Sequence, residues 1–150
     1  MRTSLLMDKL EAALATLLNP RIVVEAALAS KTVAQISTFS QGFEDPMRLT
    51  KYNACMVCQD QVFKERAQAL TRSTVDLVLA ISGRDKATVI STMQVYTDAV
   101  ANLVDADPTI GGNAFEVRFE SAEFIGPAPG NGFVGVVIAR LAVHADDLLV

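Results

Sequence analysis

The sequence predicts an α+β domain, with two or three helices packed on one face of a mainly antiparallel sheet of about four strands. Three observations lead there. Residues 4–18 and 88–104 repeat apolar side chains at helical spacing. Several later stretches alternate apolar and polar residues as half-buried strands do. The order is helix, strands, helix, hairpin, not the strict alternation that builds a parallel sheet. At 150 residues the chain has the length of one ordinary domain, 1–150.

In the first helix Leu6, Leu10, Ala13, Leu14 and Leu17 form an apolar stripe, while Asp8, Lys9 and Glu11 face water. Asn19-Pro20 closes this helix or opens another. Residues 21–36 fit two readings. Ile22-Val23-Val24 is β-branched, as in a strand, yet Ile22, Ala26, Ala29, Val33 and Ile36 also fit a helix. Asn19 as cap with Pro20 in the first helical position favours the helix. From Ser37 to Tyr52 no period survives, which predicts a long loop at about 37–52 carrying Phe39, Phe43 and Met47. Such loops usually bind something or are disordered, and two phenylalanines argue against disorder. Either the aromatics pin the loop to its own core, or it orders against a neighbouring subunit.

Ala54 to Val62 reads as a short strand, and the polar residues 63–73 as a helical turn or an edge. Val75, Leu77, Leu79 and Ile81 then mark a strand with its greasier side inward. The chain is organised around Gly83–Gly112. Val89, Met93, Tyr96, Val100 and Leu103 share one helical face. Asp85 is placed to cap that helix, and Asp107-Pro108 to stop it. Gly111-Gly112 permits the reversal into the next strand. There Phe115, Val117 and Phe119 alternate with Glu116, Arg118 and Glu120, giving one core face and one charged face. The Gly- and Pro-rich run predicts a hairpin loop at about 125–132, and Phe133 to His144 forms the last strand.

A formal charge of −4, a sequence pI of about 4.9 and 13 thinly spread basic residues argue against sequence-specific nucleic-acid binding. No apolar run approaches the ~18 residues that span a bilayer, and Asp8 and Glu11 interrupt the N-terminal apolar pattern, unlike a signal peptide. Two cysteines make no disulfide framework, which suits a reducing cytoplasm.

Cys55-Met-Val-Cys58 tempts a redox or zinc reading, but in a strand positions three apart point to opposite faces. A zinc site would need two more ligands, and only His144 stands beside the carboxylates. Ser82 to Thr88 lacks the upstream glycine of a phosphate loop and reads as a plain strand-to-helix turn. Gly126 to Gly132 joins two strands rather than opening a helix, so it implies no dinucleotide site. His144 is the single histidine, and neither Ser82 nor Ser121 has the surroundings of an activated nucleophile. The sequence therefore predicts no catalytic, cofactor-binding or metal-ligating residue. It reads as a binding or assembly domain, with Glu116, Arg118 and Glu120 as a solvated row or an inter-subunit contact.

At Tyr96 and the following Asp105-Ala-Asp-Pro-Thr-Ile-Gly-Gly112 the chain resembles the tail terminator (tail-completion, neck) proteins of long-tailed bacteriophages. In that family an amphipathic N-terminal helix precedes strands. A second helix then runs into an Asp-Pro-x-hydrophobic-Gly-Gly turn, and a hairpin of two long strands closes the fold. The matching pieces here are 4–18, 75–82, 88–104, 107–112, 115–124 and 133–143. The resemblance implies a structural virion protein of the tail or neck, assembled in the host cytoplasm, and not an enzyme. It implies a homohexameric ring that caps the tail tube, stops its growth and meets the head-completion protein. DNA would pass through the lumen without specific binding, and no membrane or cofactor is involved. On that basis contacts are expected at Phe39, Phe43, Met47, Tyr52, Glu116, Arg118, Glu120 and Phe133. The alternatives are another head–tail connector subunit, or a small cytoplasmic enzyme or ligand-binding domain using Cys55/Cys58 or His144.

Overall fold

The computed structural model describes residues 3–42, 52–63, 70–114, 116–130 and 132–146. The elements run α1 (Thr3–Leu28), β1 (Thr38–Gln41), β2 (Asn53–Phe63), β3 (Leu70–Gly83), α2 (Lys86–Ala106), β4 (Glu116–Gly130) and β5 (Gly132–Asp146). Among the described residues the fold is α+β, with five strands in the order β1-β2-β3-β5-β4. All neighbours pair antiparallel except β1 with β2, so the sheet is mixed rather than purely antiparallel, and it has one strand more than expected.

The core lies between the two helices and one face of this sheet. The stripe Leu6, Leu10, Leu14, Leu18 and Ile22 of α1 is buried at steps of one helical turn. All five residues of the α2 face (Val89, Met93, Tyr96, Val100 and Leu103) are buried as their spacing predicts. Register carries the same layer across the strands: Met56 pairs with Leu77, Leu77 with Ala139, and Ala139 with Ala122. Close approach of α2 to the sheet depends on Gly135, where an added Cβ would collide with the Met93 sulfur.

Four expectations are corrected. The first concerns Asn19-Pro20, which does not interrupt α1: one 26-residue helix runs through Pro20. Pro20 is exposed, so the Thr16 carbonyl it cannot satisfy can find water. Asn19 caps nothing. Its side-chain amide donates to the Ile36 carbonyl at 2.9 Å and its oxygen accepts from the Ile36 amide at 2.8 Å, clamping the returning chain. Beyond Leu28 the helical spacing of Ala29, Val33 and Ile36 is not used; Ile36 is buried in a non-helical segment.

The second correction is β1, inside the expected loop. Four residues are too few to show a period, and Gln41 fixes them by donating to both Asp8 and Glu11 of α1 at 2.7 Å. Third, β3 begins at Leu70, before the apolar alternation. Thr71 and Ser73 occupy inward positions there, fully buried, and hide the strand from a hydrophobic reading. Fourth, the ladder between β4 and β5 continues to Gly130 and Gly132, so most of 125–132 is strand. It absorbs a register shift between Ile125 and Ala128, where the Gly126–Pro127 peptide is cis. Gly132 closes the hairpin at φ +99°, with its α-carbon so near the Gly83 carbonyl that a side chain has no room.

Candidate interaction surfaces

The turn that carries the family resemblance folds around Asp107. One carboxylate oxygen accepts from the Thr109 hydroxyl at 3.1 Å and the other from the Gly111 amide at 2.8 Å. The Thr109 hydroxyl in turn accepts from the Gly112 amide at 3.1 Å. Ile110 is buried, and it, Gly111 and Gly112 all take positive φ, so the chain reverses within three residues. The Val117 amide then donates to the Pro108 carbonyl at 2.6 Å, which ties the turn to the start of β4. Every residue of Asp107–Gly112 thus acts in joining α2 to the hairpin.

The face of the sheet turned away from the helices carries the charged groups. Asp76 is buried at its centre, and Arg140 on β5 donates to both its carboxylate oxygens at 2.8 and 3.0 Å. Asp76 and Glu120 help hold Arg140 in its charged form, the Asp76 hydrogen bond most. Nearby, Arg118 donates to Glu116 at 3.1 Å and holds that carboxyl below the ordinary glutamate range. Ala80, Val136, Ala142 and Cys55 are buried on this side but stand outside the main core.

The expected contact residues do not form one surface. Phe39 in β1 and Tyr52 before β2 are half-buried against the core, and Phe133 at the start of β5 also packs inward rather than standing exposed. Phe43 and Met47 lie outside the described residues. Glu116 and Arg118 share the outer face as predicted, but the register shifts between Phe119 and Ser121, leaving Glu120 as the extra residue of a bulge. An unbroken alternation in sequence cannot reveal an inserted residue.

The competing chemistry finds no geometry. Cys55 pairs with Val78 on the outer face and Cys58 with Val75 on the core face, so the two thiols point apart. Burial, and then Asp60, push the Cys58 thiol up, away from a reactive thiolate. His144 pairs with Glu116 and Arg72, whereas Ser121 pairs with Arg140, four residues along β5 or roughly 13 Å away. Ser82 pairs with Val134, farther still. At the start of α2 the Asp85 carboxylate accepts from the Ala87 amide and the Thr88 hydroxyl, so an anionic group already occupies the place a phosphate would need. Among the described residues no three His, Cys, Asp or Glu side chains gather as a metal site.

The structure adds two apolar surfaces to these residues. On α1, Val23, Val24 and Leu28 are exposed, Leu28 by 76%. Ile90 of α2 and Phe124 of β4 are exposed beside one another, whereas Ile125, next along β4, is exposed on the opposite face of the sheet. Ile90, Met93, Gln94, Phe124, Gly126 and Pro127 line an open cleft of about 270 Å³. The first surface had a sequence signal: Pro20 to Leu28 is apolar on every side except at Arg21 and Glu25, which pair with each other at 3.8 Å. A helix apolar all round is a helix to be covered. No known protein-family model matches the chain, and no curated protein matches it.

Proposed function

We propose that this chain is a structural protein of a long-tailed phage virion, of the tail terminator kind. In this reading it forms a homohexameric ring on the last ring of the tail tube, stops tube growth and presents a joint to the head-completion protein. The observation that carries the proposal is the Asp107–Gly112 turn. It stands where α2 passes into a hairpin of two 15-residue strands, in the order of elements that the resemblance implies. Two exposed apolar surfaces on one small domain support an assembly role, since such surfaces mark interaction sites. An acidic chain also suits a lumen through which DNA slides without sticking.

The test is assembly and capping. Mass photometry across a concentration series, with negative-stain images, is expected to show a closed ring, and the protein is expected to bind one end of purified tail tubes and halt their extension. A ring that leaves tubes growing would move the protein to another joint of the neck. A monomer that never caps tubes would overturn the proposal.

A further inference from the structure

We infer that residues 43–51 run across the outer face of the sheet and cover its apolar half, the region around Cys55, Ala80 and Val136. The inference concerns the single chain and does not depend on the assembly reading above.

The first support is topology. β1 and β2 are parallel neighbours, so the chain must return from the end of one to the start of the other. The Gly42 amide donates to the Met56 carbonyl at one end, and the Ser37 amide to the Tyr52 carbonyl at the other. That sets the two ends about 16 Å apart along the strands, a gap residues 43–51 can span. Such returns are almost always right-handed. α2 makes another in this sheet, joining β3 to β4, which run parallel on either side of β5. Both connections step the same way across the sheet, from β1 towards β4, but β1 and β2 run opposite to β3 and β4. The same hand therefore places them on opposite faces. α2 holds the core face, which leaves the outer one.

The described side chains agree with that route. The Cys55 thiol, on the outer face of β2, donates to the Gly42 carbonyl, so the chain leaves β1 already turned over this face. Burial is the second support. Ala80 is 0% and Val136 2% exposed, although among the described residues both helices pack on the other face. Val136 stands between Ala80, which is too short to shield it, and Ile125, which is itself exposed. Ala142, lower on the same face, is different: Arg118 opposite it and Arg140 two residues along β5 have stems long enough to hide a methyl group. Phe43, Met47 and Leu49 are the large apolar residues that 43–51 can bring to the apolar half. What the face keeps open to a partner is its charged half, around Arg118 and Arg140.

The experiment reads the reactivity of Cys55 in a dilute Cys58→Ser background. With residues 43–51 intact, labelling by a small maleimide is expected to be slow. Replacing them with an equally long Gly-Ser linker is expected to speed it at least about tenfold while a cooperative thermal melt is retained. An unchanged rate would overturn the inference. Should the linker variant unfold, a second one decides: Met47→benzoylphenylalanine, photolysed in a mixture of light and heavy-isotope chains. Cross-links to Val78, Val136 or Ile138 within one chain are expected. Links into α1, links between copies, or no link at all would overturn it.

Discussion

The two helices lie side by side on one sheet, yet they are finished differently. In α2, Asp85 closes the N-terminus, Asp107 begins the turn that ends it, and nine buried residues form one face. Apart from Ile90, its large apolar residues are covered by the sheet and by α1. In α1 the first half is amphipathic in the same manner, but the second half continues past a proline and carries apolar residues on its outer side. The difference separates two causes of hydrophobicity. One helix turns most of its apolar residues to the core; the other carries apolar residues beyond those the core covers.

The sharpest way to test that division is to truncate the two sides of α1. Ile22→Ala, on the fully buried side, is expected to cost about 3 kcal/mol in urea unfolding at concentrations too low for association. Val24→Ala, on the outer side, is expected to change monomer stability by less than about 0.5 kcal/mol. Equal costs would erase the distinction. Next in size is Asn19→Ala, which strands the Ile36 amide and carbonyl and is expected to cost about 2 kcal/mol by the same measurement. For α2 the corresponding loss is smaller: Asp85→Ala removes a cap and is expected to lower stability by about 1 kcal/mol.

The smallest effect belongs to the exposed Glu116–Arg118 pair, which neither helix covers. Arg118 lowers the Glu116 carboxyl in the folded state, so its contribution is complete above the ordinary glutamate range. It is lost as the pH falls through the lowered folded value. Glu116→Gln is expected to flatten the acid limb of stability against pH slightly; a steeper limb would contradict the assigned direction.

The elements legible in the sequence are those where local and tertiary preferences agree. The α2 face, its cap, its stop and the β3 alternation from Val75 onward all stand as their spacing implies. What escaped were places where a distant partner decides. Asn19-Pro20 has the local form of a helix start, but Ile36, seventeen residues on, recruits the asparagine instead. β1 is a strand because Thr38–Gln41 pairs in parallel with Asn53–Met56 across the intervening segment, and Gln41 then ties it to Asp8 and Glu11 of α1. The bulge at Glu120 is set by pairing with Leu141 and Arg140. As for the expected contact residues, Phe39, Tyr52 and Phe133 are half-buried against the core, whereas Val23, Val24 and Leu28, which the helical spacing of Ile22, Ala26 and Ala29 leaves out, are the exposed apolar residues.

The sheet order also governs how the chain meets its own synthesis. β5 is the last of the described strands in sequence but interior in the sheet, between β3 and the edge strand β4. Until it leaves the ribosome, β3 lacks one neighbour and the surface beneath both helices is incomplete. α1 packs against β1 and α2, both of which precede β5, so its buried stripe can find partners before the sheet is finished. The β2–β3 and β4–β5 pairings are local, with Phe63 opposite Thr71 and Gly130 opposite Gly132, whereas the β3–β5 pairing bridges residues as far apart as Leu70 and Asp146. What completes last is the seam between β3 and β5, and with it the part of the sheet that covers the buried face of α2.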